Sequence, residues 1–139
     1  MATVATYVGT PKVGLVSAVN ADGTTAKTIV TAGSSGSKIV SLQVTSNDTS
    51  ARTFIISIVR SAAIFIQGTF TIALASGTDG SAPSIDILGN TTLFPGLPVD
   101  NDGQRYMLLQ SGDTLTATLT TSAVTAAKTV SFTAHYGDF

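Results

Sequence analysis

The stretch Arg52-Thr-Phe-Ile-Ile-Ser-Ile-Val-Arg60 decides the fold class, because Phe54, Ile56 and Ile58 recur at every second position. A period of two is typical of a strand that turns one face toward a core. The segment 63–75 repeats this period and places a second apolar set on one face: Ile64, Ile66, Phe70, Ile72 and Leu74. The two segments therefore predict half-buried strands of an antiparallel sheet.

The same alternation continues on both sides of these segments, and turn clusters rich in Gly, Ser, Asn and Asp separate the runs. Eight or nine strands are predicted, at about residues 13–19, 25–32, 38–46, 52–60, 63–75, 84–88, 104–110, 114–121 and 128–136. This spacing predicts an all-β, antiparallel β-sandwich of jelly-roll type, with an immunoglobulin-like sandwich as the competing fold. The predicted core contains Val40, Leu42, Val44, Phe54, Ile56, Ile58, Ile66, Phe70, Ile72, Leu115, Leu119 and Phe132.

Two segments fall outside the alternation. Residues 1–12 are weakly patterned and predict an extended N-terminal arm in front of a single domain at 13–139. Residues 89–99 cannot form a central strand, because Pro95 and Pro98 lack an N–H. This loop is nevertheless apolar, so it either covers the end of its own sandwich or packs against a partner. Both alternatives stay open at this point.

The composition favours a protein that works by packing against other proteins. Only 11% of the 139 residues are charged, the formal net charge is −1, and all eight acidic residues are Asp. Thr, Ser and Ala fill the outward positions, which leaves few charges to keep neighbouring molecules apart. The scattered Lys and Arg form no nucleic-acid footprint, and no apolar run is long enough to span a membrane. The first residues lack a signal-peptide pattern, so synthesis in a cytoplasm is expected.

Candidate catalytic and metal sites are few. The chain has no Cys and one His, His135, which falls on a polar strand face, so neither a hydrolytic triad nor a zinc site is expected. Asp100, Asp102 and Asp113 could offer oxygen ligands to Ca²⁺, although Asp102-Gly103 is more simply a turn signal. The structural turn is the favoured interpretation. The sequence therefore predicts a protein that is not an enzyme and carries no cofactor.

The strand-and-turn sequences at residues 28–40, 49–53, 108–115 and 124–139 resemble the small capsid cement or decoration proteins of tailed bacteriophages. The resemblance implies a β-sandwich that sits on the outside of a phage head as trimers and clamps neighbouring major capsid subunits. It also implies that the N-terminal arm makes contacts, and that no catalytic residue is present. The location expected from it is the capsid surface of a virion, after synthesis in the host cytoplasm.

The expected partners are therefore the major capsid protein and further copies of the chain in a homotrimer, with no nucleic acid and no membrane. The candidate interface residues are Val4, Tyr7, Val8, Leu93, Phe94, Leu97 and Val99. The alternative is a tail- or fibre-associated module that binds a host receptor or a carbohydrate. Sugar sites usually use exposed aromatic platforms, and this chain has no Trp and three Tyr. The alternative is therefore weaker.

Overall fold

The structure is a computed structural model that describes residues 9–120 and 122–139. Within them lie nine strands: β1 (Thr10–Val19), β2 (Lys27–Thr31), β3 (Ser37–Ser46), β4 (Arg52–Arg60), β5 (Ala63–Ile72), β6 (Ile85–Asp86), β7 (Met107–Leu109), β8 (Thr114–Leu119) and β9 (Thr129–Asp138). A 3-10 turn at Asn20–Asp22 follows β1, and the described residues contain no α-helix. The fold class predicted from the alternation is confirmed.

The strands form two antiparallel sheets. Sheet A has the order β1-β9-β3-β6, with β7 also paired to β3, and sheet B has the order β2-β8-β4-β5. The paired strands are nested around the turn between β4 and β5. The innermost pair is β4–β5, followed outward by β3 with β6 and β7, then β2–β8, and finally β1–β9. A long hairpin rolled up in this way is a jelly roll.

The core lies between the two sheets and is built around three aromatic rings. The Phe54 ring lies 5.8 Å from that of Phe70 and 5.2 Å from that of Phe132, measured between centroids. Nine of the twelve predicted core residues are buried here, and Ile58 is half-buried against them. Because Phe54 and Phe70 belong to sheet B and Phe132 to sheet A, this cluster joins the two layers.

Val40 is exposed, and its predicted place in the core is wrong. The pairing of β3 with β9 shifts between Ile39 and Ser41, which marks a β-bulge. One extra residue in a strand reverses which side chains face the core. As a result Ile39 is fully buried, Val40 points outward, and Leu42 and Val44 return to the core.

Ile66 is also exposed, and the reason is a second bulge. Ile56 of β4 pairs with Gly68, but the next residue, Ser57, pairs with Ile66, so Gln67 is the extra residue. Because of this extra residue, the alternation that turns Phe70 and Ile72 toward the core does not continue to Ile66, whose side chain faces outward.

β1 begins within the segment 1–12 that the sequence assigns to the arm. Residues 10–12 belong to β1, where they pair with the end of β9, and Lys12 Nζ lies 2.5 Å from Asp138 Oδ2. Pro11 is tolerated because β1 is an edge strand, so its missing N–H breaks no ladder. Residues 1–8 of the predicted arm lie outside the described residues.

Candidate interaction surfaces

Large apolar side chains are exposed at ten described positions: Val13, Leu15, Val40, Ile64, Phe65, Ile66, Leu74, Val99, Leu108 and Phe139. Single exposed hydrophobic residues are normal on a protein surface, whereas contiguous groups mark places where another surface binds. Six of the ten fall into two groups, one on β5 and one on the outer face of sheet A.

The first group, which we name the β5 ridge, consists of Ile64, Phe65 and Ile66. Their side chains are between 52% and 68% exposed. Ile64 and Ile66 pair with Val59 and Ser57, and Phe65 pairs with Ile58 on the opposite face of the strand. The ridge is therefore apolar on both faces.

The edge of the β5 ridge is also open, because β5 is the last strand of sheet B. Its outer backbone groups have no neighbouring strand in the described chain. Edge strands are usually protected by charged residues or Pro, but residues 61–72 contain neither. The two-residue turn at Ser61 and Ala62, with φ of 50° and 67°, fixes the register of this hairpin. The ridge thus combines uncovered side chains with an uncovered backbone edge.

The second group consists of Val13, Leu15 and Val40. Val13 and Val40 line the sheet A groove, which is also bounded by Pro11, Lys12, His135 and Tyr136. Val13 pairs with His135, and Leu15, one position further on the same face, pairs with Thr133. Val13 and Leu15 are 53% and 73% exposed. The bulge in β3 turns Val40 out beside them. The groove is open to solvent, has a volume of about 400 Å³ and is mostly apolar, so it suits side chains better than a polar small molecule.

The apolar loop at 89–99 mostly covers its own core. Phe94 is only 3% exposed, and Leu93 and Leu97 pack against the core cluster. A Cβ on Gly68 would lie 3.0 Å from the Leu93 carbonyl oxygen and 3.0 Å from the Phe94 ring, so Phe94 fills space that a side chain at position 68 would need. Of the four interface candidates in this loop, only Val99 is exposed, at 56%.

The other three interface candidates, Val4, Tyr7 and Val8, lie outside the described residues. The β5 ridge and the sheet A groove were not predicted from the sequence, although the sequence contains one signal for the ridge. Ile64-Phe65-Ile66 is apolar at three consecutive positions, and a strand with two apolar faces is either covered on both sides or uncovered.

Two of the three Asp residues considered as calcium ligands have other partners. Asp113 is buried, and Arg60 donates from Nε and Nη2 to its two carboxylate oxygens, both at 2.6 Å. Asp100 accepts backbone N–H groups of Asp102 and Gln104, and its carboxylate lies 3.6 Å from Lys38 Nζ. Across residues 9–120 and 122–139, no three His, Cys, Asp or Glu side chains come together as a metal site.

We expect Asp113→Asn to lower the free energy of unfolding by about 1–2 kcal/mol at pH 7, because it removes a charge-assisted pair whose Arg60 side is half exposed. The Arg60 guanidinium holds the pKa of Asp113 below its usual range. The pair therefore stabilises the fold above the unfolded pKa of about 3.9, and this contribution is lost as the pH falls through the folded pKa. Urea unfolding at pH 7 and pH 3 measures the effect.

The variant should accordingly lose less stability between pH 7 and pH 3 than the unaltered protein does. Asp102→Asn, in an exposed turn, is the matched control and should change neither value. An unchanged pH dependence in Asp113→Asn would contradict the assignment.

His135 lies on the outer face of sheet A, as its position on the polar face predicts, and it is exposed. No helix in the described part of the chain is long and apolar enough to cross a membrane. The protein is therefore a jelly-roll sandwich, and the most distinctive features of its surface are groups of exposed apolar side chains.

Comparison with known proteins adds one likeness. No protein-family model matches the chain, and no curated protein matches it. Among solved structures, a chain of the cyanophage Pam1 capsid asymmetric unit is similar over 100% of this chain and 92% of its own length, with 16% sequence identity and a TM-score of 0.46.

Proposed function

We propose that this protein is a structural component of a phage virion, which binds the outside of the capsid and stabilises it by bridging neighbouring major capsid subunits. The observation that carries the proposal is the combination of a charge-poor sandwich with uncovered apolar surfaces on β5 and on sheet A. A domain that stays alone in solution usually covers such groups or surrounds them with charge.

The bridging role assigns the shell contact to the N-terminal residues. Residues 1–8 precede β1, and they supply Val4, Tyr7 and Val8 for burial against a partner. An extended segment can add a strand to an open sheet edge, where main-chain hydrogen bonds give affinity and alternate side chains give selectivity. Ordering each residue costs roughly 1–2 kcal/mol of backbone entropy, so one arm alone binds weakly. Arms joined in one trimer bind far more tightly, because the second and third contacts become intramolecular.

The experiment is removal of residues 1–8, which leaves β1 and its pairing with β9 intact. Purified protein is mixed with phage particles made without it, and bound protein is measured after sedimentation of the particles. We expect binding to the shell to fall by at least about tenfold, since several arms are lost together.

Val4→Ser with Tyr7→Ser in the full-length chain tests the same contact without shortening the protein, and Thr3→Ser is the matched control. Full-strength binding of the truncated protein would show that the arm is not the clamp, and the shell contact would then be sought at Val99.

The alternative function, carbohydrate recognition on a tail or fibre, has less support. Two of the three tyrosines are described, and neither forms an open platform. Lys38 Nζ lies 4.5 Å from the centre of the Tyr106 ring, and Tyr136 is half-buried against the core. Sugar stacking needs an exposed ring face, and neither described tyrosine provides one.

A further inference from the structure

We propose that the open edge of β5 accepts an extended segment of the major capsid protein, which adds to sheet B as a further strand beside residues 63–66. This contact deepens the proposed function and rests on it for the identity of the partner. It gives the protein a second contact with the shell, separate from the N-terminal residues.

The outer edge of β5 has free hydrogen-bonding groups. In an antiparallel pair, every second residue turns its N–H and C=O away from the partner strand. Because Arg60 and Ala63 pair across a two-residue turn, they form a hydrogen-bonded pair, and the residues that face outward are Ile64 and Ile66. Side chains packed over this edge would bury those groups unsatisfied, whereas an added strand bonds to them.

The length of the free edge limits the segment that can bind. The turn at residues 61–62 ends the edge on one side. On the other side the bulge at Gln67 interrupts the ladder, and Gln67 Nε2 donates to the Phe65 carbonyl oxygen at 3.0 Å. The regular edge therefore runs only from Ala63 to Ile66, and it suits a short strand rather than a broad surface.

The side chains along this edge define the polarity of the segment. Ile64 and Ile66 are exposed on one face and Phe65 on the other, and β5 carries no charged residue. The charged residue next to the turn, Arg60, is already paired with Asp113. A charged segment would lose its hydration here without gaining a counter-charge, so the segment that fits is extended, uncharged and apolar on both faces.

The size of the contact favours a segment of the shell over a free partner. The three side chains of the β5 ridge offer roughly 300–400 Å², whereas a stable complex of two free proteins buries about 800 Å² on each partner. A free second copy would therefore bind too weakly through this edge alone. A shell segment is held at high local concentration once the N-terminal residues are bound, so the edge contact becomes intramolecular.

Residues 1–8 of the same chain are a poor occupant because of their distance from the edge. β1 packs against β2, and β5 lies three strands away from β2 in sheet B. With about 4.8 Å between strands and about 10 Å between sheets, the β5 edge lies about 20 Å from the start of β1. Eight extended residues span at most about 28 Å, so few would be left to pair after reaching the edge.

The test separates the backbone contact from the side-chain contact at one position of the full-length chain. Ile64→Pro removes the outward N–H and keeps the pairing with β4, because Pro is tolerated on edge strands. Ile64→Ala is the matched control, since it removes the same apolar side chain but keeps the N–H. Thermal unfolding checks that both variants are folded. On phage particles made without the protein, we expect Ile64→Pro to bind at least about tenfold more weakly than Ile64→Ala.

Hydrogen exchange of the unaltered protein gives a second readout. On particles, the amides of Ile64 and Ile66 should exchange at least about tenfold more slowly than in the free protein, because the added strand accepts their hydrogens. The amides of residues 69–72, beyond the bulge, are the internal control and should not change.

Equal binding of the Pro and Ala variants, or no added protection at Ile64 and Ile66 on particles, would each overturn the inference and leave the proposed function standing. Failure of the unaltered protein to bind particles would contradict both. Slow exchange already present in the free protein would also overturn the inference. It would assign the edge to a second copy if dilution abolishes it, and to residues 1–8 if their removal does.

A second pair of variants is available if Ile64→Pro does not fold. Ile64→Lys with Ile66→Lys places charges on the edge strand, which blocks strand addition without removing an N–H. The double Ala variant at the same positions is its control, and the same tenfold difference in particle binding is expected. Equal binding of these two variants would overturn the inference.

Discussion

Phe70→Ala should lower the free energy of unfolding by about 3–5 kcal/mol, because it removes a buried ring from the cluster that joins the two sheets. Phe70 is 2% exposed, and its ring lies 6.4 Å from that of Phe132 in the opposite sheet. The loss includes both the burial of the ring and the cavity left between the layers. Chemical denaturation followed by tyrosine fluorescence or circular dichroism measures it.

Ile66→Ala is the matched control on the same strand. Its side chain lies beyond the bulge at Gln67 and is mostly in solvent, so the change should fall within about 0.5 kcal/mol. Equal losses at the two positions would show that β5 has the uninterrupted alternation expected from its sequence, with both side chains in one core.

Phe94→Ala should cost about 3–5 kcal/mol as well, although position 94 lies in a loop. Its ring occupies the space beside Gly68, and the neighbouring Leu93 and Leu97 pack on the same core. Because Gly68 of β5 has no side chain, loss of the Phe94 ring would leave a cavity at this end of the sandwich. Thermal and denaturant unfolding of the isolated protein measures the effect.

Val99→Ala is the control from the same loop, and it should leave the stability of the isolated protein nearly unchanged. If Phe94→Ala were neutral in the free protein and harmful only on particles, the loop would belong to a partner contact. The comparison therefore decides between the two roles that the sequence leaves open for residues 89–99.

The alternation predicted every strand of the sandwich, because half-buried strands carry their period in the chain itself. Arg52–Arg60 has the predicted bounds, and β5 starts at Ala63 as expected. The nested pairing could not be read in the same way, since it depends on which strands meet after the chain crosses between sheets. The jelly roll was predicted from the number of strands, and the observed strand pairing gives the order of the strands in each sheet.

The two errors in the core have one physical cause. A bulge adds a residue without any change in composition, so the alternation on each side looks continuous. At Ile39-Val40 and at Ile64-Phe65-Ile66, consecutive residues are apolar, so the sequence does not show which face of the strand is buried. In each place the tertiary pairing selects the phase, and the side chains displaced by the bulge become exposed.

For the loop at residues 89–99, the sequence contained a signal of its position that the prediction did not use. An isolated Gly within a strand often marks a close approach by another part of the chain. Gly68 is such a residue, and the approach is made by Phe94. The contacts of the N-terminal residues could not be inferred from patterning, because they have no alternating face that matches one of the strands.

The most direct test of the proposed role is to add the full-length protein to purified phage particles made without it. Occupancy of the shell and the temperature at which the shell releases its DNA are then measured together. The proposal predicts saturable binding at repeated positions between major capsid subunits, with a release temperature that rises as those positions fill. Binding confined to the tail, or full occupancy with an unchanged release temperature, would contradict it.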